Sequence, residues 1–184
     1  MKGLLKGVAA FGLVATLGAT TAHAQNLITF GAGGGVAIPL SNFSDAFKTG
    51  WDAGAVFQFK PASSPVGLQL DGTYQENKSK TVTGVKSQLI YGTANVVYWL
   101  PVAKETKIRP YLLGGGGVYN AKTKGSGTSL PSETKFGINA GAGFDINFGQ
   151  SLALFVDGRF HNVFVSGSDT KFIPINAGIR WHTM

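Results

Sequence analysis

Glycine runs are the first residues in this sequence whose type and spacing could do chemistry. Residues 111–120 read YLLGGGGVYN, and 31–35 read GAGGG. Backbone amides free of side chains can cradle phosphate. A dinucleotide-binding turn needs glycine at its first, third and sixth positions, opening a helix after a strand. Counted from Gly31 the sixth position is Val36, from Gly114 it is Tyr119, and from Gly141 it is Ile146. All three fail, and no helical pattern follows, so phosphate cradling is rejected. The chain has no cysteine, which removes disulfides, lipid attachment of the lipoprotein type and thiolate metal sites. No cofactor and no metal are expected.

The charges and the ends of the chain narrow the classes further. Met1–Lys6 carries two lysines, Gly7–Leu17 is apolar but short, and Ala22-His23-Ala24 has the small-x-small pattern that a signal peptidase reads. Residues 1–24 are therefore expected to be a cleaved signal peptide, with Ala22 and Ala24 flanking the site, and 25–184 to be one exported domain. After Gln25 no apolar run nears the ~18 residues of a membrane helix. The formal charge of +7 falls by two once Lys2 and Lys6 are removed. The remaining lysines are scattered without interleaved stacking aromatics, so no nucleic-acid partner is expected. With 27 glycines, 13 phenylalanines and few charges, the composition points to strands.

Those strands are legible. In KFGINAGAGFDINF (135–148), Phe136, Ile138, Ala140, Ala142, Phe144, Ile146 and Phe148 alternate with Gly137, Asn139, Gly141, Gly143, Asp145 and Asn147. Strict period-two alternation of this length is a β-strand with one apolar and one small or polar face. The same pattern recurs over 28–38, 51–59, 66–75 and 173–182. Three further strands are predicted near 88–100, 108–120 and 152–163, the first with aromatics on both sides. Eight strands of about ten residues match the length that crosses a bilayer at a tilt. The connections 39–50, 60–65, 76–87, 101–107, 121–134, 149–151 and 164–171 alternate long with short. That is the pattern of an eight-stranded, antiparallel, up-and-down transmembrane β-barrel, long loops at one end and tight turns at the other.

A soluble ligand-binding barrel has the same period, with its faces reversed. Here the polar face is mostly glycine, asparagine, threonine and aspartate, where a soluble barrel would present lysine and glutamate. Aromatics also gather at predicted strand ends. Trp51, Tyr74, Tyr119, Phe136 and Phe172 lie at the loop end; Phe59, Tyr98, Trp99, Phe148 and Trp181 lie at the turn end. Two such belts are expected to form interfacial girdles.

The ordered segments PLSNFSDAFKTGW, IRPYLLGGGGVYN, LFVDGRFHNVF and IPINAGIRW give the mature chain a family likeness. It resembles the outer-membrane β-barrel domain family of opacity-type and OmpA/OmpX-like proteins, often labelled "porin family", of Gram-negative bacteria. The resemblance implies an eight-stranded barrel in the cell outer membrane with both termini in the periplasm. It implies no single activity. The last strand, INAGIRWHTM, is similar to the C-terminal strand by which such barrels are recognised by the assembly machinery, at Asn176, Gly178 and Trp181, although His182-Thr183-Met184 follows. Lipid A palmitoyltransferases and deacylases share the architecture. The deacylase likeness requires serine two residues after a histidine, whereas His161 is followed by Asn162 and Val163. Without a nucleophile–base pair no enzyme is expected.

Strand direction then assigns the lumen. Arg109, Asp145 and Arg180 should face inward near the periplasmic end, Asp71, Asp157 and Arg159 near the middle, and Asp52 and His161 higher. Ionised groups at membrane depth persist when paired or solvated inside the barrel. Both signs occur at two levels, so a cross-linked polar plug is expected. Glycines of YLLGGGGVYN should leave room for it. The alternative is a narrow small-solute or ion channel, since an eight-stranded barrel is only just filled by its side chains. Lysines 48, 78, 80, 86, 122, 124 and 171 lie in or beside the long loops. They could meet lipopolysaccharide phosphates or an acidic host surface, or be simply solvated. The expected role is structural or surface interaction (adhesion, envelope integrity). A soluble periplasmic ligand-binding barrel is a further rival.

Overall fold

The computed structural model describes residues 27–103, 106–125, 128–129, 132–149, 151–167 and 169–183. The expected leader 1–24, with Ala22 and Ala24, lies outside them. Strands β1 (Leu27–Leu40), β2 (Gly50–Lys60), β3 (Val66–Lys78), β4 (Lys86–Trp99) and β5 (Ile108–Gly125) run up and down in chain order. A two-residue strand β6 (Thr128–Ser129) sits beside the end of β5, and β7 (Glu133–Phe148), β8 (Leu152–Val163) and β9 (Thr170–Thr183) complete the wall. Each strand pairs antiparallel with its neighbour, β4 pairs with β5, and β1 pairs with β9. The eight long strands thus form a closed barrel, in which each of them has a paired neighbour on both sides.

Side-chain parity explains why this wall stands in lipid. Phe30, Leu68, Ile90, Val118, Phe136 and Phe148 are each more than half exposed on the outer face. Thr29, Gln58, Gln69, Gln75, Asn77 and Asn95 are buried inside. A soluble protein reverses this arrangement, because apolar area in water costs roughly 25 cal/mol per Å². The outer face is an apolar band that only a hydrocarbon solvent accommodates.

Two differences from the sequence reading concern the loop end. The stretches 76–87 and 121–134 read as loops because they are polar, yet the ladder continues through Lys78↔Lys86 and Lys86↔Lys124. Register in a closed sheet depends on backbone pairing, which polar side chains in water do not oppose. The second is helix α1 (Ser41–Ala46), inside the predicted loop 39–50. Six residues are too few for a helical period to show. The Phe43 and Phe47 rings pack at a tilt, 5.1 Å between centroids, and Phe43 meets Phe172 edge-on at 6.5 Å.

The four glycines lie inside β5, as regular strand. Gly115 and Gly117 point inward, but not at the charged groups. A Cβ on Gly115 would overlap the Ala94 carbonyl oxygen, and one on Gly117 would overlap that of Gly92. What they allow is close approach of β4. The glycines that do make room for the lumen groups are Gly143, against Asp157 and Tyr111, and Gly141, against Arg159. Gly115→Leu and Gly117→Leu are each expected to abolish the compact band of heat-modifiable gel migration. Gly72→Leu should keep it, since a Cβ there meets nothing within 4 Å. Equal assembly of all three would contradict the close-approach account.

Candidate functional site in the barrel lumen

Every charged side chain in the middle of the barrel reaches it by strand parity. Asp145 comes from β7, Asp157 and Arg159 from β8, Arg180 from β9 and Asp71 from β3. Arg180 is fully buried. Its guanidinium donates to Asp145, and at 3.1 Å to the Tyr111 hydroxyl. It also lies 3.8 Å from Asp157. Its planar face stacks on Phe155, 4.3 Å from the ring centroid, so the apolar body of the cation is covered as well. Trp99 closes this level from below, its indole N–H donating to Asp145 at 3.4 Å.

Arg159 occupies the next level. It grips Asp157 with two donors, Nε at 3.2 Å and Nη2 at 2.9 Å, and reaches Asp71 with Nη1 at 3.0 Å. Asp71 also accepts from Gln69 at 2.7 Å, Thr93 at 3.2 Å and Asn95 at 2.7 Å. Gln58 donates in turn to Gln69. Bidentate, charge-assisted bonds of this kind offset the several kcal/mol that desolvating each ion costs. An unbroken chain Asp145–Arg180–Asp157–Arg159–Asp71 therefore crosses the lumen.

Above it the lumen turns aromatic. The Tyr119 hydroxyl and His161 Nδ1 are 2.8 Å apart, Tyr91 stacks on Tyr119 at 5.1 Å, and His161 stacks on Phe172 at 4.8 Å. Leu89 and Val163 complete this cluster, and Phe43 of α1 packs against it. The stack and the charged chain leave a cavity of about 30 Å³ between them, lined by Asp52, Asp71, Tyr91, Arg159, His161 and Asn176 among others. That is room for about one water.

The structure thus joins Asp71, Asp145, Asp157, Arg159 and Arg180, while three expected members stand apart. His161 is buried and inward, but bonded within the aromatic stack. Asp52 is 3 % exposed, and neither carboxylate oxygen has a hydrogen-bond partner among the described residues. Arg109 is the register partner of Asp145, yet that carboxylate is taken by Arg180 and Trp99, and Arg109 lines the turn-end mouth instead. The girdle requires a correction. Trp51, Phe136, Phe148, Tyr98 and Trp181 are exposed on the outer face, and Phe59 and Tyr74 share it, Tyr74 packing on Trp51 at 5.4 Å. Trp99, Tyr119 and Phe172, however, point into the lumen at 6 %, 1 % and 0 % exposure. Parity is the reason: Tyr98 and Trp99 are adjacent and cannot share a face, and Phe172 precedes the outward Ile173. The same signal would have found Tyr91 and Tyr111, which sequence reasoning left out.

The match to known families now has a structure behind it. Residues 9–182 match the family described as the outer membrane protein beta-barrel domain. The chain belongs to that family. It is an outer-membrane protein, and the soluble ligand-binding barrel is set aside. Among solved structures it is similar to Neisserial surface protein A, at 16% identity and a TM-score of 0.64, covering 87% of this chain and 99% of that one. It is also similar to the N-terminal β-barrel domain of Pseudomonas aeruginosa OprF, at 13% identity and a TM-score of 0.57, covering 87% and 99%. A major outer membrane protein from Thermus thermophilus follows at 12% identity and a TM-score of 0.53, covering 86% and 100%. At these identities the likeness is one of fold. No curated protein matches the chain.

Arg159 is the side chain whose loss should be felt most. Arg159→Met leaves Asp71 and Asp157 facing each other without their shared cation. Unfolding by urea from lipid vesicles should show a loss of about 3–5 kcal/mol, the usual cost of orphaning a buried charge. The double variant Arg159→Met/Asp71→Asn should recover part of it. Full stability of the single variant would show that the chain of ion pairs is dispensable.

Proposed function

We propose that this outer-membrane barrel is a closed structural and surface-interaction protein, neither a pore nor an enzyme. The observation that supports this reading is the ion-pair chain from Asp145 to Asp71, which spans the lumen and is capped by the Tyr91–Tyr119–His161–Phe172 stack. A solute would have to break both layers at once. Catalysis is disfavoured by His161, whose Nδ1 is engaged by Tyr119 and whose ring lies under Phe172. Planar-bilayer recordings of the purified protein should show no stable, reproducible conductance steps. Reproducible steps would establish the narrow-channel alternative.

The loop end carries the surface role. Lys86 is paired with Glu76 at 2.8 Å, and Lys135 with Glu133 at 3.4 Å. Lys48, Lys78, Lys80, Lys122, Lys124 and Lys171 have no acidic partner among the described residues. Unpaired lysines around one mouth favour an anionic partner, with lipopolysaccharide phosphates or an acidic host surface as the chemical classes. The assembly machinery is the second proposed partner. Supporting it, Trp181 is half exposed on the outer face at the end of β9, with Asn176 and Gly178 inward. Replacing Lys78, Lys80, Lys122 and Lys124 with glutamine should weaken adhesion to anionic surfaces and flatten its salt dependence. Unchanged adhesion would mean the lysines serve only solvation.

A further inference from the structure

The opposite mouth carries a different feature. Below Trp99 the barrel opens into a vestibule of about 730 Å³, within the usual range of small-molecule sites. It is lined by the ends of β1, β2, β4, β5, β7 and β9, by residues 62–65 and 100–103, and by Thr106 and Gly149. Three of its lining side chains are basic: Lys60, Arg109 and His182. No acid lines it among the described residues.

Two of these side chains carry a positive charge that no acid meets among the described residues. Arg109 has no ion pair among the described residues, although Asp145 is its register partner. Lys60 makes none either, and its Nζ lies 5.8 Å from the centre of the Trp99 ring. Both have the parity of the inward set, Lys60 with Gln58 and Arg109 with Tyr111, so they face the vestibule and not the surrounding lipid. His182 is anchored through Nδ1 to Thr29 Oγ1 at 2.8 Å. The floor is the indole of Trp99, itself held by Asp145. Leu27, Pro65, Leu100, Pro101 and Val102 supply apolar walls.

We propose that this periplasmic vestibule is a binding site for a soluble, phosphate-bearing anion. A fixed guanidinium can take two phosphate oxygens in a bidentate pair, and the ammonium supplies a mobile second charge. Two cations match the charge of about −2 on a phosphate monoester, and the apolar walls and indole suit an organic body attached to it. The site is separated from the loop-end lysines by the whole charged chain of the lumen, so it is independent of the surface role.

The chain's lack of cysteine makes the test direct. A fluorophore on Ser63→Cys, in the turn lining the vestibule, reports from the turn end; one on Ser166→Cys, in the loop between β8 and β9, reports from the other. The protein is folded in neutral maltoside micelles, and inorganic phosphate is added at constant ionic strength set with chloride. Saturable change at position 63 and none at 166 is expected. Lys60→Gln/Arg109→Gln should weaken it at least tenfold, with folding checked by gel migration. The labelled protein with its native cations decides the matter even if the double variant does not assemble. A response confined to nanodiscs containing phosphatidylglycerol would reassign the site to a lipid headgroup and overturn the soluble ligand. No saturable response at position 63, or equal responses at both ends, would overturn the site altogether.

Discussion

Asp157 is shared by two arginines and a tyrosine, and the rest of the lumen is arranged around that sharing. Its carboxylate accepts from Arg159 and Tyr111 and lies within ion-pair reach of Arg180. Because both cations converge on it, each is free to extend a second arm, Arg180 to Asp145 and Arg159 to Asp71. Four wall strands, β3, β7, β8 and β9, are thereby tied through the interior, across and not along the backbone ladder. An eight-stranded wall has just enough internal width for this, with side chains meeting at the axis. A wider barrel would strand the same residues in water, where exposed pairs contribute about 1 kcal/mol or less.

The alternation that sorts lipid from lumen also decides where aromatics go. Outside, they lie against hydrocarbon and its interface. Inside, Trp99 and the Tyr91–Tyr119–Phe172 stack flank the charges from both sides and keep bulk water away from them. Low local dielectric strengthens the ion pairs that it also makes costly to break. The apolar residues of the lumen and its ion pairs thus support each other.

The strands were readable because period two is visible wherever one face is small or polar, as in 135–148. Fold class, topology and the inward set Asp71, Asp145, Asp157, Arg159 and Arg180 followed from parity and strand direction. What was not readable depended on distances. Parity puts Arg109 and Arg180 at one depth with Asp145, but only coordinates show that Arg180 wins the carboxylate. Asp52 is inward by the same rule, yet no donor reaches it. The misplaced girdle members came from using position along the strand without its face. In β4 aromatics on both faces hid the parity, and in β9 the rule was at hand, since Ile173 faces out. Polarity misled at the loop end, where Lys78, Lys86 and Lys124 extend the sheet beyond the hydrocarbon. The length of α1, below two helical turns, gave no periodic signal at all.

The seam between β1 and β9 joins Ile28 to Thr183 and continues to Leu40 and Lys171. These partners are separated by almost the whole chain, so the cylinder cannot close until its final strand has been made. Until then the half-built sheet has two bare edges, one of them the glycine-rich β1. Long-range closure of this kind is slow, and open edges invite pairing with other chains. Chain order therefore makes the growing barrel dependent on something that shields those edges. It also places the first and last strands of the wall side by side, so the order of hairpins around the ring could be permuted without losing a ladder.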